Sequence, residues 1–236
     1  MTYVISDLHG YPLEKLKTLL AKANFGEDDF LYILGDVIDR NGDGGIEVLE
    51  WLLSQNNARL ILGNHEEMLL ICGFLFDEIT NSSSTYSKSK KAEVLANYRL
   101  NGGDATLASL IELNKKSPQA VGAILDYLRS APLYKIVTAG GRKYLLLHGG
   151  LDNFSKSKKL SDYSTYEILW AWPELDDEYF DDMITVFGHT PTVCYGQKYK
   201  GKIIKTKTWI DIDMGAADGV TEPVLLCLDN MKEFRN

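Results

Sequence analysis

Residues 30–40 read Phe30-Leu31-Tyr32-Ile33-Leu34-Gly35-Asp36-Val37-Ile38-Asp39-Arg40. The unbroken apolar and aromatic run at the start, with no polar alternation, describes a strand buried on both faces. A glycine and two acidic residues then end it and leave carboxylates where the strand runs out. Upstream, Tyr3-Val4-Ile5 is a second such run, and Leu13, Leu16, Leu19 and Leu20 follow Pro12 at helical spacing. Downstream, Ile46, Leu49, Trp51, Leu52 and Leu53 suggest another helix, and Arg59-Leu60-Ile61-Leu62 a third strand. Strand, helix, strand, helix, strand is the pattern of an α/β unit with parallel pairing.

From about Glu66 to Pro132 the pattern turns helical, so we expect a helical insertion over residues 66–132, with the Ser/Lys-rich residues 81–91 as a mobile loop. Strands return at residues 134–138, 143–147, 184–187, 209–212 and 224–228, with a helical segment over residues 163–172. Lys198, Lys200, Lys202, Lys205 and Lys207 mostly alternate, as on the wet face of a hairpin. No repeat or linker stands out. The expectation is one α/β domain over residues 1–236, within the common range of about 100–250 residues.

The chain has 236 residues, 45% hydrophobic and 25% charged, with a formal net charge of −8. That composition excludes disorder, collagen and coiled coil for the chain as a whole. The longest apolar run, from Met68 to Phe76, is far short of the roughly 18 residues that span a bilayer. Met1-Thr2 leads straight into a strand, without a basic start or a small-residue cleavage site. Cys72, Cys194 and Cys227 are widely spaced and odd in number, unlike a disulfide framework. A cytoplasmic protein without a membrane partner is the expectation. The acidic balance argues against a nucleic-acid partner, which would call for a basic excess. For an anionic substrate, positive charge has to be supplied locally, and a metal is the obvious source.

The chain has four histidines, and all of them fall in five segments placed where strands end: Ser6-Asp7-Leu8-His9-Gly10, Gly35-Asp36-Val37-Ile38-Asp39-Arg40, Gly63-Asn64-His65-Glu66, His148-Gly149-Gly150 and Gly188-His189-Thr190. The C-terminal ends of strands are where α/β sheets place ligands. Singly these signals are modest: Asp36 alone could cap a helix, and a lone histidine after a strand is usually a hydrogen-bonded core residue. Their joint occurrence is what carries weight. Carboxylate, amide and imidazole together suit Mn²⁺, Fe or Zn²⁺ rather than a thiolate-bound structural zinc. They are too many for one ion, and two ions about 3.5–4 Å apart bridged by a carboxylate would use them. Other phosphatase chemistries lack their residues. Cys-x5-Arg meets Glu78, Lys200 and Glu233, Asp211-Ile212-Asp213-Met214-Gly215 lacks the Thr of a phosphoaspartate motif, and no P-loop is present.

In this order the five segments resemble the calcineurin-like metallophosphoesterase superfamily, and within it the phosphoprotein-phosphatase branch of bacterial and phage-type serine/threonine phosphatases and symmetrical diadenosine tetraphosphate hydrolases. The resemblance runs from Ser6 to about Gly215 and implies a four-layer α/β/β/α sandwich of two mixed sheets with a bimetal site at one edge. It implies that Asp7 and His9 bind the first metal, that Asp36 bridges, and that Asn64, His148 and His189 complete the second. It further implies that His65, oriented by Asp39, is the general acid rather than a ligand, and that Arg40 holds phosphoryl oxygens. Two divalent ions, manganese above iron or zinc, would ready a bridging hydroxide for in-line attack, and His65 would protonate the leaving oxygen.

Three departures stand out. The family often has Gly after the Asp-Arg pair where this chain has Asn41, a residue that tolerates left-handed backbone. Trp172 stands about where the branch often supplies a second phosphate-binding arginine, and could stack on a base or a peptide ring, although a core aromatic is at least as good a reading. Arg99 or Arg142 could replace that arginine. Asn101-Gly102-Gly103-Asp104 resembles a turn of bacterial members, with Asp104 read as a helix N-cap. The expected activity is a metallophosphoesterase acting on a phosphoprotein or a small phosphorylated substrate. A serine/threonine protein phosphatase comes first, and a symmetrical dinucleoside tetraphosphate hydrolase is the alternative. A catalytically dead binding module would have lost ligands, and every residue of the set is present.

Overall fold

The computed structural model describes residues 1–76 and 85–236. Strands β1 (Thr2–Ile5), β2 (Phe30–Leu34) and β3 (Ala58–Ile61) pair in parallel, joined by helices α1 (Leu13–Lys22) and α2 (Ile46–Ser54). Helices α3 (Asn64–Ile71), α4 (Lys88–Leu100), α5 (Asp104–Lys116) and α6 (Pro118–Ser130) follow. The chain then builds a second sheet from β4 (Tyr134–Ala139), β5 (Arg142–Leu147), β6 (Ile184–Phe187), β7 (Ile204–Lys205) and β8 (Trp209–Asp211), with the short helix α7 (Thr165–Leu169) between β5 and β6. It returns to the first sheet with β9 (Leu225–Cys227) and β10 (Glu233–Phe234). The sheet orders are β10-β9-β1-β2-β3 and β4-β5-β6-β8-β7, and both sheets mix parallel and antiparallel pairs.

Burial on both strand faces produces three apolar cores among the described residues. In β1, Tyr3 and Ile5 face α1–α6, while Val4 faces the second sheet. In β5, Tyr144 and Leu146 face the first sheet, while Leu145 and Leu147 face a third core with Tyr163, Ile168, Leu169, Tyr179 and Trp209. Helices, sheet, sheet and an outer layer make the four-layer sandwich, and the outer layer is mostly irregular chain around α7. No helix among the described residues is long and apolar enough to cross a membrane.

Several local expectations change. The helix expected over residues 163–172 is confined to Thr165–Leu169, because the carbonyls of Glu167 and Ile168 accept from Asp152 and Gly149 instead of continuing the helical ladder. Residues 81–84 lie outside the described residues, and the Lys88–Lys91 part of the expected loop is the first turn of α4, capped by the Ser87 hydroxyl. Asp104 is the first residue of α5 rather than its cap, and its carboxylate is taken by Arg99 Nε at 2.6 Å. Of the alternating lysines only Lys205 sits in a strand of the β7–β8 hairpin; Lys198 belongs to a 3₁₀ turn.

Candidate metal centre

The loops after β1 and β2 are zipped together, with His9 N–H donating to Asp36 O and Gly10 N–H to Val37 O, both at 2.9 Å. His148, at the end of β5, crosses to the first sheet and donates from Nδ1 to the Leu34 carbonyl at 2.8 Å. That approach needs Gly35, whose φ is +82° and where a Cβ would lie 2.4 Å from His148 Nδ1. His189, after β6, is tied down by its backbone N–H to Asp7 Oδ2 at 3.0 Å. Asp7, His9, Asp36, Asp39, Arg40 and His189 all have positive φ, six of the nine non-glycine residues that do among the described residues. Such backbone costs of order 1–3 kcal/mol each and gathers at functional sites. Asn41 is not among them, so the left-handed turn expected of it is carried by Asp39 and Arg40 instead.

Asp36 lies at the centre. Its carboxylate joins two groups whose ligand atoms lie within 4.8 Å of one another, His9–Asp36–His65 and Asp36–His148–His189. His9 Nε2 is 3.6 Å from Asp36 Oδ2, and His148 Nε2 is 3.3 Å from Oδ1. Asn64 Oδ1 sits 2.7 Å from His148 Nε2 and 3.1 Å from His189 Nδ1. Asp7 is buried beside Asp36 and Asp213 but belongs to neither group, whereas His65, expected to be no ligand, falls within the first. His65 donates from Nδ1 to Asp39 Oδ2 at 2.7 Å, and its Nε2 lies 3.8 Å from Asp36 Oδ2 and 3.5 Å from the exposed Arg40 guanidinium.

Residues 2–209 match the family profile of the calcineurin-like phosphoesterases. The chain belongs to this family. It is 32% identical over 151 residues to the symmetrical bis(5'-nucleosyl)-tetraphosphatase of Hamiltonella defensa subsp. Acyrthosiphon pisum, covering 63% of this chain and 44% of that protein. It is 34% identical over 135 residues to the same-named protein of Marinomonas sp., covering 56% of this chain and 38% of that one. The matched stretches thus span less than half the length of these relatives. The fold resembles the crystal structure of a candidate diadenosine tetraphosphatase, with TM-score 0.61 and 17% identity over 100% of this chain and 92% of that one. It also resembles a Saccharomyces cerevisiae protein serine/threonine phosphatase, with TM-score 0.50 and 19% identity over 89% and 65%.

The donor set fits the divalent cations on which calcineurin-like phosphoesterases depend. Because His148 Nδ1 donates to Leu34, its Nε2 presents a lone pair, and that lone pair faces the lone pairs of Asn64 Oδ1 and Asp36. Turning the Asn64 amide over would let it donate to His148 and Asp36. With Oδ1 inward, a cation is the partner that satisfies all three. The electrostatics agree. Burial pushes the carboxyls of Asp7, Asp36 and Asp211 well above their ordinary range, helped by neighbouring carboxylates, and pushes Asp213 up to about 7. Burial also pushes His9 and His148 well down and His189 to about 4, with other histidines adding to the shift. Acids raised and bases lowered in one place mark a site that repels charge of either sign until a dication supplies it.

Some contributors gave little sign in the sequence. Glu66, fully buried, accepts from the backbone N–H of Asp36 (2.9 Å), Val37 (2.8 Å) and Gly63 (3.0 Å) and so holds the loop after β2 to the loop after β3. Asp211 and Asp213 stand behind Asp7, with Asp211 Oδ2 buried and unpaired. Trp172 is 59% exposed and donates from Nε1 to His189 Nε2 at 3.1 Å, which removes the core-aromatic reading for it; Trp170 is half-buried and bonds Glu67.

Proposed function

We propose that this chain hydrolyses phosphoric anhydrides of dinucleoside tetraphosphates, symmetrically, with two divalent cations. Asp36 carries the reading: one buried carboxylate stands between His9 on one side and His148, His189 and Asn64 on the other. Asp7 and His9 would serve the first cation, Asn64, His148 and His189 the second, and Asp36 both. When bound, the cations would neutralise the phosphoryl group and lower the pKa of water towards 7, manganese being the first choice. The chain's own residues do the rest. Arg40, exposed beside His65, presents a fork that suits two phosphoryl oxygens. His65, with Nδ1–H committed to Asp39, has Nε2 left to carry a proton to the leaving oxygen.

The names of the relatives favour the dinucleotide over the phosphoprotein that the sequence alone put first. Trp172 supports the same choice, since an exposed indole where an arginine was expected offers a base a stacking face worth about 1–3 kcal/mol. The test is product analysis with Mn²⁺: diadenosine tetraphosphate should give two ADP and be preferred over a phosphoserine peptide. Asp36→Asn should lose both bound metal and activity. Preference for the peptide would overturn the substrate. Full metal content and activity in Asp36→Asn would overturn the centre.

A further inference from the structure

The helices between β3 and β4 do more than cover the first sheet. Two of them reach Asp39, the partner of His65. The Tyr98 hydroxyl, from α4, donates to Asp39 Oδ1 at 2.6 Å. The Thr106 hydroxyl, from α5, donates to the same oxygen at 2.6 Å and accepts the Asp39 backbone N–H at 2.9 Å. Tyr98, Thr106 and Asp39 are all fully buried. Oδ1 thus holds two donors, and Oδ2 faces His65 Nδ1 at 2.7 Å. Burial and the Asp39 charge push the Tyr98 phenol upward, so it stays a donor.

The turn joining the two helices is shaped around the same pair. Gly102 O accepts the backbone N–H of Arg40 at 3.0 Å. Gly102 has φ +98°, and a Cβ there would lie 2.8 Å from Arg40 Cγ. At Gly103 a Cβ would lie 2.6 Å from the Tyr98 ring. Asn101-Gly102-Gly103-Asp104 is therefore the piece of chain that lets α4 and α5 close on Asp39 and Arg40 together, while both of those residues hold left-handed backbone.

We propose that Tyr98 and Thr106 are positioning residues for the Asp39–His65 pair. By occupying Oδ1 they leave His65 only Oδ2, which fixes the imidazole with Nδ1–H inward and Nε2 towards the leaving oxygen. Neither hydroxyl touches substrate; both act through Asp39. The inference rests on the reading of His65 as proton donor, and the experiment separates the two.

Turnover with Mn²⁺ is compared on p-nitrophenyl phosphate, whose leaving group needs no proton, and phenyl phosphate, whose leaving group does, for the parent, Tyr98→Phe, Thr106→Val, the double variant and His65→Asn. Removing outer partners of this kind typically costs about 10–100-fold. The double variant should lose about that much on phenyl phosphate and under about threefold on p-nitrophenyl phosphate, with Mn²⁺ affinity retained and Thr106→Ser restoring turnover. Equal losses on both substrates, or none on either, would overturn the proposal. If His65→Asn itself shows no leaving-group dependence, the proton-donor reading fails on its own account. If it does and the hydroxyl variants do not, the positioning role fails alone. A second readout needs no turnover: ¹⁵N spectra of the metal-free protein should place the proton of neutral His65 on Nδ1 in the parent and show a mixture of the Nδ1–H and Nε2–H tautomers in the double variant. An unchanged tautomer would overturn the role. Should Tyr98→Phe fail to fold, Thr106→Val against Thr106→Ser decides on both readouts.

Discussion

Trp172 sets a condition on His189. Its indole N–H donates to Nε2 at 3.1 Å, so a neutral imidazole carries its proton on Nδ1, which faces Asn64 Oδ1 at 3.1 Å. Burial, with His65 adding, holds His189 down at about 4, so the ring is neutral near pH 7 and only the tautomer is at issue. To hold a cation through Nδ1, His189 must move its proton to Nε2, where it would meet the Trp172 donor head-on. The Trp172 bond and coordination through Nδ1 therefore exclude each other. Trp172→Phe, which keeps the ring and removes the donor, should bind Mn²⁺ several-fold tighter, since one hydrogen bond is worth about 1 kcal/mol. The parent should also show a tryptophan emission change on Mn²⁺ addition that the variant lacks. Calorimetry returning equal affinities, with equal emission changes, would count against this coupling.

At the scale of elements, β1, β2, β3, β5 and β6 were legible because each carries a short, mostly apolar run buried on both faces, and the chemistry-bearing residues were legible because glycine and charge follow those runs directly. Helix α7 was legible but its ends were not, since what stops it is a loop following β5 taking its carbonyls. Tyr98 and Thr106 read as ordinary helix residues until α4 and α5 are folded over Asp39. Glu66 was visible as the acidic residue after His65, but its work depends on where β2 ends. As the third residue of α3 it accepts from four backbone N–H groups, those of Asp36, Val37, Ile38 and Gly63, which fasten the loop after β2 to the helix. In Glu66→Gln an amide NH₂ must face two of those donors. Buried donors left unpaired cost about 1–3 kcal/mol each, so urea unfolding should show a loss on the order of 3 kcal/mol. Metal affinity should fall with it, because Asp36 and Asn64 flank the fastened joint. A variant as stable as the parent would mean that water or a shifted loop replaces the clamp.

For the whole molecule, the buried charges make stability depend on pH in a direction that metal reverses. In the metal-free protein Asp7, Asp36 and Asp211 are raised well above ordinary and Asp213 to about 7, chiefly by burial. Folded, these groups keep protons that the unfolded chain releases near pH 4, so each withdraws stability as pH climbs from about 4 to its folded value. The histidines act oppositely: His9 and His148 are lowered well below ordinary and His189 to about 4, so each adds stability up to the unfolded value of about 6.5. Below about 6.5 the two trends offset. Above it the carboxyls act alone, and in EDTA the urea midpoint should fall as pH rises from 6.5 through about 7, the folded value of Asp213. Asp213→Asn, which cannot titrate, should fall less steeply. With Mn²⁺ the slope should turn, because the cation binds deprotonated ligands, and tighter binding to the folded state raises the midpoint as protons leave. A midpoint in EDTA that holds level across that range would mean the carboxyls are already ionised without metal. The cluster would then find its compensating charge elsewhere, with Arg40, whose charge reaches Asp213, one source.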